Sequence, residues 1–230
     1  MRGGPASTFD VPAALADARR RIESAGADPA TVRIVAVTKG FGADAVRAAL
    51  DAGIQDVGEN YAQELLSKAG ALEPVLGEGG LGDLPRWHFL GTVQRNKVRA
   101  LAPLVGCWES VARTVEGEAI ARRSPGATVF VEVDVTDAAG RNGCAPSEVP
   151  GLVTALHEVG LDVQGLMTVA PGGGGADAQD AFRTCRDLAD RLGLQERSMG
   201  MSEDLELAVA EGSTMVRLGR ALFGDRPPRR

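Results

Sequence analysis

Residues 33–39, Arg-Ile-Val-Ala-Val-Thr-Lys, form a short and almost unbroken apolar run that stops at Gly40-Phe41-Gly42. Its β-branched content and length read as one strand of a parallel sheet. Seven further runs of this type follow at Ile54–Gly58, Arg86–Gly91, Val105–Glu109, Thr128–Val135, Asp162–Val169, Glu196–Gly200 and Thr214–Gly219. Their centres lie on average about 26 residues apart, the length of one strand plus one helix. Eight such units predict an α/β protein with the closed (β/α)8 TIM-type barrel. Helical periodicity fills the gaps. It is clearest over 177–192, where Phe182, Cys185, Leu188, Ala189 and Leu192 share a face and Asp177 is the expected N-cap, and over 147–159, where Val149, Leu152, Val153 and Leu156 repeat. Only about ten residues follow the last strand, too few for a full eighth helix, so the helical pattern at Val11–Ala25 is expected to cover that side. The competing open, doubly wound sheet would usually show G-x-G-x-x-G after the first strand, which Lys39-Gly40-Phe41-Gly42 is not. A single domain over 1–230 follows, with an N-terminal helix at about 10–26 and the barrel at about 31–224.

Composition excludes several classes of function. The 230 residues are 44% hydrophobic and 24% charged, and the net charge is −6 with basic residues scattered, so nucleic acid is not an expected partner. No run reaches the roughly 20 apolar residues of a membrane span and no signal-peptide core is present, which predicts a cytoplasmic protein that does not bind membranes. Cys107, Cys144 and Cys185 are odd in number and widely spaced, fitting neither a disulfide framework nor a zinc site, and are expected as reduced core thiols. Two glycine-rich stretches, Leu76–Gly82 and Pro171–Gly175, lack the lysine-serine ending of a phosphate loop. The first reads as an exposed spacer and the second as part of the barrel rim.

A barrel builds its site where the strands end. Lys39 ends the first strand on the same face as Val35 and Val37. In an apolar mouth, desolvation and nearby cations would leave its amine neutral and nucleophilic toward a carbonyl; the alternative is a lysine reaching out into water. Ser198-Met199-Gly200-Met201-Ser202, where the seventh strand turns into a helix, offers backbone N–H groups to an anion, or a plain helix cap at Ser202. Arg217 is a charge inside an apolar strand and needs a partner there, a ligand or a structural ion pair. A strand-end lysine beside a phosphate cradle fits either a pyridoxal 5'-phosphate protein or a lysine-dependent aldolase of a sugar phosphate. Glu132 and Asp134 would be candidate acid/base groups for the aldolase, or polar filling of the barrel.

Ordered motifs sharpen this choice. Ala36-Val37-Thr38-Lys39, Val57-Gly58-Glu59-Asn60-Tyr61-Ala62-Gln63-Glu64, Trp87-His88-Phe89-Leu90-Gly91, Gln94-Arg95-Asn96-Lys97, Gly165-Leu166-Met167-Thr168, Ser198-Met199-Gly200-Met201-Ser202 and Gly212-Ser213-Thr214-Met215-Val216-Arg217-Leu218-Gly219 occur in sequence. With them the chain closely resembles the YggS/PROSC family of pyridoxal phosphate homeostasis proteins from about Asp10 to Gly224. The resemblance implies a barrel like that of alanine racemase, with the cofactor held as an aldimine on Lys39 and Arg217 facing its pyridine nitrogen. It implies a phosphate held by backbone N–H groups around Gly200, Gly219 and Arg220 with the Ser198 or Ser202 hydroxyl, and Asn60 in the pocket, unless Asn60 caps the following helix. His88 is expected to be a satisfied core histidine. Two departures stand out: Gly40-Phe41-Gly42 replaces a stretch that often contains proline, and Arg220 replaces a small hydroxyl residue.

The function implied is to hold, buffer or deliver the cofactor for vitamin B6 homeostasis, with pyridoxal phosphate and its apoenzymes as partners, as a monomer, and with no catalytic or metal-binding residue assigned. The alternative is a lysine-dependent enzyme, racemase-like or aldolase-like. A racemase needs a second base, typically a tyrosine from a second domain. The only tyrosine here is Tyr61, expected early in a helix, and no second domain is expected.

Overall fold

Strand β1 (Arg33–Val37) pairs in parallel with β2 (Asp56–Glu59) on one side and with β8 (Met215–Leu218) on the other, so the first and last strands of the chain are neighbours and the sheet closes. The computed structural model describes residues 9–76, 84–136, 141–171 and 175–226. Between β2 and β8 run β3 (Arg86–Phe89), β4 (Val105–Val111), β5 (Thr128–Val133), β6 (Asp162–Thr168) and β7 (Glu196–Ser198), each parallel to the next in sequence. All eight predicted strands are present, within a few residues of the expected limits. Most of the Leu76–Gly82 stretch and Gly172–Gly174 lie outside the described residues, so neither glycine-rich expectation is addressed.

Helices α1 (Val11–Ser24), α2 (Ala43–Asp51), α3 (Ala62–Leu76), α4 (Arg95–Leu101), α5 (Thr114–Ala121), α6 (Val149–Glu158), α7 (Ala176–Leu192), α8 (Leu205–Ala210) and α9 (Arg220–Phe223) surround the sheet. α7 begins one residue after Gly175, so Asp177 lies in its first turn rather than at the cap, where a carboxylate still meets the positive end of the helix. As expected, α1 stands in for the short last helix. Val11, Leu15, Ala18 and Ile22 bury their side chains in the same cluster as Leu205, Val209, Leu222 and Phe223. Phe9, Phe41 and Phe223 meet with ring centroids 5.4 to 5.6 Å apart, which fixes the loop after β1 against the end of the chain.

Two further clusters complete the core. One large cluster lies between strands and helices, around Trp108, Phe182, Leu156 and Leu166. A small one, Val35, Cys107, Phe130, Met167 and Met215, fills the barrel itself. Cys107, Cys144 and Cys185 are free and buried. Burial pushes the thiols of Cys144 and Cys185 up to about 11 and about 12, which makes both inert near neutrality.

The mouth of the barrel depends on close backbone contact. A Cβ at Gly91 would lie 1.9 Å from the carbonyl oxygen of Asn60. Gly91→Ala is therefore expected to lower stability by roughly 3 kcal/mol, the upper end for overpacking. Denaturant unfolding followed by circular dichroism measures it, and a change below about 0.5 kcal/mol would show that the β2 and β3 ends can separate freely.

Candidate functional site

A cavity of about 570 Å³ opens at the C-terminal ends of the strands. Six of the eight residues singled out from the sequence line it: Lys39, Asn60, Ser202, Arg217, Gly219 and Arg220. Strand-end geometry brings them together from β1, β2, β8 and the loop after β7, although 181 positions separate Lys39 from Arg220.

Lys39 sits half-buried two positions beyond the end of β1. Burial lowers its pKa from the ordinary value, and the Arg226 and Arg217 guanidinium groups lower it further. A larger share of the amine is consequently neutral near pH 7 than for a lysine in water. The backbone on both sides of it is fixed. Lys68 Nζ, from α3, donates to the Thr38 carbonyl oxygen (2.7 Å), the Thr38 hydroxyl donates to Glu59 Oε1 (2.7 Å), and the Gly40 N–H donates to Glu64 Oε2 (2.7 Å). Lys68 also pairs with Glu59, so a carboxylate with no exposure and a lysine at 4% neutralise each other beside the site. A buried pair tolerates the loss of one member poorly. Lys68→Ala is thus expected to cost roughly 3–5 kcal/mol, read from thermal or denaturant unfolding, and a neutral outcome would mean that water replaces the ammonium.

Arg217 forms the floor. Its guanidinium donates through Nη1 to the Ser198 carbonyl oxygen (2.6 Å) and hydroxyl (2.8 Å), and through Nη2 to the Thr168 carbonyl oxygen (2.8 Å). The partner that a buried cation requires is therefore mainly backbone carbonyl, not a direct ion pair, among the described residues. Five donors minus these three leaves Nε–H and one Nη2–H for a ligand.

One expectation needs correction. Ser198 has no exposure and its hydroxyl is held between Arg217 and Glu109, so it supports Arg217 from below and cannot reach a ligand phosphate. At Gly200 φ is +96° and an added Cβ would lie 2.5 Å from the Ala208 Cβ, so glycine is required there for the turn into α8; the expected contact is through its backbone N–H, which neither constraint removes. The carbonyl of Gly200 accepts from the Arg217 N–H (3.0 Å).

The remaining lining residues divide by type. Ser202 does not cap its own helix; its Oγ accepts the Ala221 N–H across the loop (3.1 Å), which leaves the hydroxyl proton free to be donated. Arg21 of α1 holds the same loop from outside by donating to the Ser202 carbonyl oxygen (2.9 Å). The Arg220 side chain pairs with Glu203 at the cavity rim (2.6 Å), which engages its guanidinium and leaves its main chain available to a ligand. Asn60 is not a helix cap: its Oδ1 is buried and has no partner among the described residues. Arg226, Glu132 and Asn142 add further polar groups to the lining. Burial raises the Glu132 carboxyl above its usual range, against a hydrogen bond from Asn142. Asp134 instead accepts from the Thr136 N–H and hydroxyl.

Comparison with known proteins now bears on this geometry. Residues 12–227 match the family described as alanine racemase, N-terminal domain. A protein of Pseudomonas aeruginosa named pyridoxal phosphate homeostasis protein is 41% identical over 217 residues, covering 90% of both chains. The chain belongs to the pyridoxal phosphate homeostasis protein family. PipY of Synechococcus elongatus, solved with pyridoxal phosphate bound, is 32% identical with a TM-score of 0.75, over 90% of this chain and 100% of that one. Alanine racemase from Corynebacterium glutamicum, at 18% identity and a TM-score of 0.65, covers 93% of this chain and 60% of that one, and shows the shared barrel alone. Within this family barrel, no helix among the described residues is long and apolar enough to cross a membrane.

Proposed function

We propose that the chain binds pyridoxal 5'-phosphate in the cavity at the barrel mouth, covalently through Lys39, and serves vitamin B6 homeostasis by holding and delivering the cofactor without significant turnover. One observation carries this: a half-buried lysine with a lowered pKa shares a cavity with an arginine that keeps two donors free. The names of the relatives and the PipY complex support the same reading.

The residues fit the group. Lys39 would meet its aldehyde, and the free N–H groups of Arg217, donors only, would face a ring nitrogen and favour its unprotonated form. The orphaned Asn60 Oδ1 awaits a donor. Gly219 carries no side chain into the cavity, so its main chain, that of Arg220 and the Ser202 hydroxyl are open to the phosphate, with Arg226 adding positive charge. When bound, the cofactor supplies an electrophilic carbon and a ring that withdraws electrons. Arg217 weakens that withdrawal, which suits storage better than catalysis. Among the described residues no tyrosine lines the cavity, and Tyr61 lies just before α3, 47% exposed.

A cytoplasmic monomer that passes the cofactor to apoenzymes fits this role, because the five exposed large apolar side chains among the described residues come from separate segments. Titration of the purified protein with pyridoxal phosphate, followed by absorbance and then by incubation with alanine or serine, tests the proposal. A yellow complex without measurable racemisation or transamination is expected. Turnover on the order of 1 per second or faster would favour a racemase-like enzyme, and cleavage of a sugar phosphate without cofactor an aldolase with Glu132 as its acid/base group.

A further inference from the structure

Below the cavity, one line of hydrogen-bonded side chains crosses the barrel interior through five strands. Arg217 Nη1 donates to the Ser198 hydroxyl (2.8 Å), which donates to Glu109 Oε2 (2.6 Å). Glu109 Oε1 bonds His88 Nδ1, and His88 Nε2 bonds Asp56 Oδ1 (2.8 Å). Ser198, Glu109 and His88 have no exposure. Asp56, at the start of β2 and therefore at the opposite end of the barrel, is 17% exposed through its side chain.

We propose that Glu109 and His88 are positioning residues for Arg217, acting through Ser198. Each proton in the line is fixed by its neighbour. Arginine has no acceptor, so the Ser198 oxygen must accept from it, and the single hydroxyl proton must then point to Glu109. Glu109, accepting from both sides, is the carboxylate: burial opposes its charge, but His88, Arg217 and Ser198 outweigh burial and lower its pKa. His88, with a carboxylate at each ring nitrogen, is the imidazolium; burial opposes that too, and its bonds to Asp56, Cys107 and Glu109 raise its pKa well above 6.5. The line therefore carries Arg⁺, Glu⁻, His⁺ and Asp⁻, which sum to zero. Without Glu109 the guanidinium would keep its two carbonyl partners and a Ser198 hydroxyl no longer oriented by a carboxylate, with Glu132 on the cavity side as the remaining nearby acid. The Nη bonds that aim Nε–H and the spare Nη2–H at the cavity would lose their anchor.

The ligating atoms of His88, Cys107 and Glu109 lie within 4.8 Å of one another, which is also a metal-like grouping. Both imidazole nitrogens are already bonded to carboxylates, and Arg217 adds positive charge nearby, so the line of hydrogen bonds uses these atoms better than a cation would.

The pH dependence has a definite sign. The titratable and charged groups around His88 are Asp56 from β2 and Cys107 and Glu109 from β4, with Arg33 and Arg86 beside Asp56 and Arg217 beside Glu109. A raised folded pKa gives His88 a stabilising contribution fully present below its unfolded value of about 6.5 and lost as pH rises through the folded value. Wild-type thermal stability is expected to fall through that alkaline window, and less so in Asp56→Asn.

The inference rests on the proposed cofactor site, but its first readout does not. Nitrogen NMR of cofactor-free protein at pH 7.5 should show His88 doubly protonated and slowly exchanging Arg217 guanidinium N–H signals. In Glu109→Gln and Ser198→Ala, each nearly isosteric and checked for folding by thermal melts, the Arg217 signals should exchange rapidly. Asp56→Asn, altered at the exposed end, should shift His88 toward neutrality if the two interior variants do not fold. With pyridoxal phosphate, Glu109→Gln should bind on the order of tenfold more weakly, the scale of one charge-assisted hydrogen bond, and its absorption maximum should move. A neutral His88, unchanged Arg217 exchange in folded variants, or stoichiometric zinc lost on changing His88 would each overturn the proposal. If wild-type protein fails to bind pyridoxal phosphate while the NMR results hold, the cofactor reading fails and the internal line stands.

Discussion

Lys39→Ala is expected to lose the absorbance of the covalently bound cofactor completely and to bind pyridoxal phosphate at least about 100-fold more weakly, a difference of about 2.7 kcal/mol. The reason lies in what else the cavity offers. Arg217, Asn60 and the Ser202–Arg220 region can still take up ring and phosphate, but no other amine lines the cavity among the described residues. Lys68, the next lysine in sequence, has its Nζ bonded to Thr38, Glu59 and Glu64 and is not free to substitute. Equilibrium dialysis and visible spectra of the variant measure both effects. Retention of the bound-cofactor spectrum in Lys39→Ala would place the attachment elsewhere.

Pyridoxal, which lacks the phosphate, is expected to bind wild-type protein at least about 100-fold more weakly than its phosphate ester, since each charge-assisted hydrogen bond contributes roughly 1.5–3 kcal/mol. The contacts responsible are separable. At Gly219 an added Cβ would lie 3.4 Å from the Val37 carbonyl oxygen, an ordinary contact, so Gly219→Ala should fold and yet crowd the main-chain approach, narrowing the gap between the two vitamers about tenfold, near 1.4 kcal/mol. Arg220→Thr should change it little, because the side chain is 54% exposed and its guanidinium is paired with Glu203. A β-branched residue at Gly200 would test folding instead, since Ala208 and the positive φ both oppose it. Competition titrations with the two vitamers decide the matter, and equal affinities would remove the phosphate cradle.

The barrel was legible because its signal repeats. Each strand is a short apolar run, the spacing is regular, and closure follows once eight parallel strands must be paired without edges. Strand ends also located Lys39, and the isolated charge in an apolar strand located Arg217. What escaped notice depends on contacts between distant segments. Glu64 and Lys68 are spaced as an ordinary surface pair on a helix, and nothing local shows that Lys68 reaches back across α3 to the Thr38 carbonyl. His88 and Cys107 face each other only because β3 and β4 pair in that register. Arg226 lies beyond the last strand, and its stem crosses Gly40, whose φ of +80° and missing Cβ leave room for it. The Ser198 hydroxyl turns away from the site because a strand-to-helix turn rich in small residues can face a ligand or the protein interior, and composition does not distinguish the two. The substitution at Arg220, in contrast, is accommodated simply by pairing the side chain with Glu203.

The covalent role of Lys39 is tested most directly by loading the protein with pyridoxal phosphate, reducing it with borohydride and mapping the modified peptide by mass spectrometry. One phosphopyridoxyl group on Lys39, at a stoichiometry near one per chain, is the predicted result. Modification of Lys68 or Lys97 in place of Lys39, or no stable modification at all, would contradict it.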